Sequence, residues 1–125
     1  MHFQHNRMLR FAALFALALA TFCAQIRAHA ILKSSTPASG ATLAGPDVPI
    51  TLTFNVRVDA VRSKLQLLLP DASTIDLPLE KQPSPDTLVS KAPNLKPGAY
   101  TIRWQVLAPD GHISRGEIPF KVTAP

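Results

Sequence analysis

Apolar and polar residues alternate along several stretches of this chain. In Ile50-Thr51-Leu52-Thr53-Phe54-Asn55-Val56 the apolar side chains share one face. Tyr100-Thr101-Ile102-Arg103-Trp104-Gln105-Val106 repeats the pattern, with Arg103 and Gln105 outward, and Ile118, Phe120 and Val122 repeat it again near the end. Leu65–Leu69, Thr74–Leu79 and Thr87–Ala92 are lesser strand candidates. A period of two marks strands buried on one face. No window after residue 28 shows an apolar stripe at helical spacing. All 12 prolines and all 5 glycines also lie after residue 28, cutting the chain into short pieces. About seven strands predict an all-β fold, a small antiparallel Greek-key sandwich or barrel of the immunoglobulin-like or cupredoxin-like kind.

Leu95-Lys96-Pro97-Gly98-Ala99-Tyr100 adds detail to that picture. A Pro-Gly turn before a strand that opens with tyrosine fits a tyrosine corner, whose hydroxyl bonds back to the turn backbone. Gln82–Asp86, with Pro83 and Pro85, reads as an exposed loop between strands.

The first 28 residues follow another pattern. Arg7, Arg10 and Arg27 are their only charged residues, and Phe11–Phe22 is apolar except for Thr21. A basic start, a short apolar run and small residues after it describe a secretory signal peptide. The run falls short of the roughly 20 apolar residues that a membrane span needs. Removing residues 1–28 leaves 29–125 as one domain of 97 residues, not embedded in a membrane. Two cleavage points fit. Cutting after Ala28 leaves His29 as the first residue, whereas cutting after Ala30, at the small-x-small Ala28-His29-Ala30, removes it.

Charge and composition then narrow the function. The whole chain carries +5, but residues 29–125 hold 10 basic and 8 acidic residues, a net +2. That gives no basic footprint for nucleic acid. Cys23, Met1 and Met8 all fall in the signal segment, so the mature domain has no sulfur ligand and no disulfide. A lipoprotein cut before Cys23 would need a small residue where the bulky Phe22 stands.

Two histidines remain after the signal, His29 and His112. His112 lies in Pro109-Asp110-Gly111-His112, directly after the strongest strand. Asp-Gly is a turn signal, and it lets Asp110 and His112 point to the same side of a strand end. Taken singly, Asp110 reads as a turn-former, His112 as a solvated turn residue and His29 as part of a frayed terminus. Taken together they could form one site. A first-residue histidine offers its amine and its ring as a chelate. An amine, two imidazoles and one carboxylate make a nitrogen-rich set suited to Cu(II), which also tops the divalent affinity order.

From His29 onward the chain resembles the CopC family of periplasmic copper-binding proteins. The resemblance rests on His29-Ala30-Ile31-Leu32 and Ser35-Thr36-Pro37-Ala38-Ser39-Gly40-Ala41 at one end. At the other end it rests on Tyr100-x-Ile102-x-Trp104, Asp110-Gly111-His112, Gly116, Phe120 and Val122. Residues 57–93 match in spacing and character alone. The resemblance implies a seven-stranded β-sandwich or barrel, cleavage before His29, and one Cu(II) held by His29, Asp110 and His112. It implies copper sequestration, resistance or delivery to an inner-membrane copper-uptake protein, and no enzymatic activity. Some members bind Cu(I) through a methionine-rich loop, which a mature chain without methionine lacks. Many carry an acidic residue shortly after the strand's Leu-x-Phe, where this chain has Asn55-Val56-Arg57. Ala108 stands where a serine is common.

Two rival classes share some of these features. Lytic polysaccharide monooxygenases, copper oxidases, also use an N-terminal histidine and a second histidine. They are larger, however, and alternation turns Tyr100 and Trp104 inward here, leaving no aromatic platform for a glycan. A metal-free immunoglobulin-like interaction module would take up no stoichiometric copper.

Overall fold

The structure is a computed structural model that describes residues 29–125. The expected signal segment, residues 1–28 with Cys23, lies outside the described residues. Eight strands follow one another: β1 (Leu32–Thr36), β2 (Ala41–Ala44), β3 (Val48–Phe54), β4 (Lys64–Leu68), β5 (Thr74–Leu77), β6 (Thr87–Ala92), β7 (Gly98–Leu107) and β8 (Ile113–Thr123). They form two sheets, ordered β1-β3-β6 and β2-β8-β7-β4-β5. The all-β expectation holds, with eight strands in place of about seven. No helix among the described residues is long and apolar enough to cross a membrane.

The alternating segments became the core strands. Along β3, Val48, Ile50, Leu52 and Phe54 are all fully buried, and along β7 Tyr100, Ile102, Trp104 and Val106 point inward. Ile118, Phe120 and Val122 of β8 complete the opposing layer. β8 is longer than its alternation suggested, beginning at Ile113, because it pairs with the whole of β7 from Leu107↔Ile113 to Gly98↔Val122. The end of β3 moves the other way. It stops at Phe54, and Asn55-Val56 bend out of the sheet. The strand expected to reach Leu79 stops at Leu77.

Tyr100 makes the expected corner, its hydroxyl donating to the Lys96 carbonyl at 2.7 Å. A buried bond of this kind contributes about 1 kcal/mol. It ties the turn after β6 to the start of β7, the strand that ends at the Asp-Gly-His segment.

Candidate metal centre

β7 and β8 are joined by five residues, Ala108 to His112. Ala108 is buried and anchors the turn: its N–H donates to the His112 carbonyl at 3.0 Å, and its carbonyl accepts from Gly111 N–H at 3.0 Å. Gly111 sits at φ +84, in the left-handed region that glycine enters without a Cβ penalty. That residue folds His112 back onto Asp110. The Asp110 carboxylate then accepts the His112 backbone N–H at 3.0 Å through Oδ1 and lies 2.8 Å from His112 Nδ1 through Oδ2. The sequence expectation that these two side chains share one side of a strand end is met.

His29 arrives from the other sheet, three residues before β1. Its Nε2 lies 4.0 Å from Asp110 Oδ2, and its ring stacks on that of His112 with centroids 4.9 Å apart and planes 18° from parallel. One donor atom from each of His29, Asp110 and His112 falls within 4.8 Å of the other two. The structure therefore brings together all three residues singled out in the sequence.

This donor set fits a metal ion in chemistry and nearly in size. Metal–imidazole bonds of about 2.0–2.1 Å let two donors on one ion stand at most about 4 Å apart. Donors within 4.8 Å of one another exceed that span by under about 1 Å, so the side chains would have to draw in by that much to close on an ion. Two imidazoles and a carboxylate suit Cu(II), and sulfur ligands are absent from residues 29–125. The Asp110–His112 contact has a second use: a carboxylate on Nδ1–H fixes the tautomer and leaves Nε2 free to bind.

The site is open. The side chains of His29 and His112 are 51% and 65% exposed, while that of Asp110 is 19% exposed. An open cleft of about 750 Å³ shares Ala108, Pro109 and Gly111 with this turn and is otherwise lined by residues such as Arg57, Asp59 and Arg62. None of the three donor side chains lines it, so the centre is a surface cluster and not a pocket.

The Asp110 carboxyl is held below its ordinary value of 3.8, first by the His112 backbone N–H, then by the His112 ring, with partial desolvation opposing both. The positive charge that the two histidine rings can carry adds in the same direction. A depressed carboxyl contributes stability that is fully present above the unfolded-state pKa and lost as pH falls through the folded value. An NMR titration of the metal-free protein should therefore place the Asp110 midpoint below that of free aspartate. A midpoint at or above it would mean that the His112 contacts do not form in solution.

A profile of the CopC domain matches residues 32–123. The chain is 32% identical over 120 residues to Protein YobA of Escherichia coli K12, covering 93% of this chain and 95% of that one. Among solved structures it is similar to CopC from Methylosinus trichosporium OB3b, with a TM-score of 0.71, 26% identity and coverage of 77% and 95% of the two chains. It is also similar to PcoC, a methionine-rich copper resistance protein from Escherichia coli, with a TM-score of 0.63, 25% identity and coverage of 77% and 100%. Both sheets, the Tyr100 corner and the turn that carries Asp110 and His112 lie inside the matched span. The chain belongs to the CopC domain family.

Sequence reasoning missed Asn55. It noted the residue only where relatives carry an acid, yet Asn55 bonds to the backbone of Ile31, two residues from His29. A polar side chain directly after the last inward residue of a strand is the signal that could have marked it.

Proposed function

We propose that this protein is a periplasmic Cu(II)-binding protein that sequesters copper, in copper resistance, or delivers it to an inner-membrane copper-uptake protein. One ion per chain is held by His29, Asp110 and His112. The observation that carries this reading is the meeting of His29 with the Asp110–His112 pair, within 4.8 Å, although 81 positions separate His29 from Asp110. Cleavage after Ala28 adds the His29 amine as a further donor. The CopC and PcoC relatives support copper as the cargo. The exposure of both histidine rings supports handover, because a second protein can reach the ligands directly. No catalytic role is assigned, since Asp110, the one carboxylate of the cluster, is used as a ligand.

Residues 29–125 contain no methionine or cysteine, unlike the methionine-rich PcoC, and Cu(I) prefers such soft ligands. The test is copper titration of the exported protein, with intact mass fixing its first residue. One Cu(II) and essentially no Cu(I) should bind to a chain that begins at His29. A second form with one methionine added before His29 loses the free amine and should bind Cu(II) more weakly. A mature chain that begins at Ile31, or an extended form that binds copper as tightly as the native one, overturns the ligand set.

A further inference from the structure

We infer that Asn55 is a positioning residue for the copper centre: its side-chain carboxamide extends the β1–β3 ladder by one rung and thereby holds the arm that carries His29. The inference rests on the copper reading above. The last pair of that ladder, beyond a register shift between Leu32 and Ser34, is Leu32↔Phe54. One step further, Asn55 N–H donates to the Ile31 carbonyl at 3.0 Å. The return bond of such an antiparallel pair normally runs from the Ile31 N–H to the backbone carbonyl of residue 55. Here β3 has already ended and the chain bends away at Asn55-Val56. The Ile31 N–H donates instead to Asn55 Oδ1, at 2.7 Å. The side chain thus supplies the acceptor that the departing backbone withdrew.

That rung matters because little else grips the arm. Ala30 is buried in the core, but Ile31 is 58% exposed and His29 is half-exposed. Without the Asn55 acceptor, residues 29–31 keep one backbone bond, from Asn55 N–H to the Ile31 carbonyl, the buried methyl group of Ala30 and the stacking of His29 on His112. They must then be ordered when the ion binds, and ordering at the moment of binding subtracts from affinity. With the rung, His29 already stands 4.0 Å from Asp110 before metal arrives. The plainer alternative is that Asn55 only seals a strand end and copper does not sense it.

Three variants of the exported protein decide between these: Asn55→Ala, Asn55→Asp and Asn55→Glu. Amide exchange of Ile31 is followed in the metal-free state and Cu(II) affinity by competition titration. Asn55→Ala removes the acceptor, so the Ile31 amide should lose protection and Cu(II) affinity should fall about two- to tenfold, the range of one net hydrogen bond. Asn55→Asp keeps the acceptor in place and should restore both. Asn55→Glu adds the same charge one methylene further out and should restore neither fully. Unchanged affinity in Asn55→Ala overturns the inference, as does equal rescue by Asp and Glu, which would make charge the cause. If the unaltered protein takes up no copper, the copper reading falls and the positioning role falls with it. A failure of Asn55 alone leaves wild-type copper binding intact.

Discussion

His112→Ala should reduce Cu(II) affinity by at least about 100-fold, more than the 10–100-fold typical of losing a residue that only supports a ligand. The variant removes one of two imidazoles outright, and no other described histidine stands near the cluster to replace it. Asp110→Ala should cost less, about 10–100-fold. It deletes a charged donor and the partner of His112 Nδ1, but both rings remain, joined by the His29 amine if cleavage falls after Ala28. The Cu(II) spectrum should change in that variant, because an oxygen donor is replaced. Both should stay folded. The turn keeps its Ala108–His112 and Gly111–Ala108 backbone bonds, and neither substituted side chain is part of the core. Quenching of Trp104, the only tryptophan, offers a titration signal on the strand that leads into the turn. Wild-type affinity in His112→Ala would remove the centre from this turn altogether.

Gly116→Ala should be among the most damaging single substitutions for stability. Gly116 pairs with Trp104 across the β7–β8 ladder, and the indole fills the space that a Cβ would take. A Cβ placed there would overlap Cζ2, Cε2 and Nε1 of the ring. The ring cannot easily retreat, since Phe54 packs against it edge-on at 5.2 Å and Trp104 is itself buried. Overpacking of this kind costs about 1–3 kcal/mol, occasionally more. For a domain of about 100 residues each kcal/mol lowers the melting temperature by about 4–8 °C. Gly116→Val should be worse. Trp104→Phe should partly relieve Gly116→Ala, because a phenyl ring lacks some of the atoms in conflict, so the two changes should be non-additive. An unchanged melting temperature in Gly116→Ala would show that the indole moves freely.

What could be read beforehand follows from how local each signal is. β3 and β7 were legible because one face of each is fully buried, and burial writes itself into alternation. β1 and β2 were not. β1 has no fully buried residue, and β2 is a four-residue strand held parallel to β8 by backbone pairing of Ala41–Ala44 with Phe120–Thr123. A partner so distant in sequence leaves no local mark. The same division runs through the centre. Asp110 and His112 are two residues apart in an Asp-Gly turn, so their common side was evident from spacing. His29 could join them only as the other histidine left after residue 28, able to chelate at a chain start, and the resemblance to a family pointed to the same three residues. Asn55 escaped notice because its role depends on where β3 leaves the sheet, which alternation overestimated by two residues.

His29 precedes β1 in the three-stranded sheet, whereas Asp110 and His112 cap β7 and β8 in the five-stranded one. An ion shared among them is then a clasp between the two layers of the sandwich. It closes a loop of 81 positions, nearly the whole domain. Closing so long a loop deprives the unfolded chain of much of its freedom, as a cross-link between the same residues would. On the copper reading, cargo and architecture would be coupled through that clasp. A bound ion would lace that end of the sandwich shut, and its removal would leave the His29 arm to the packing of Ala30 and the Asn55–Ile31 bonds.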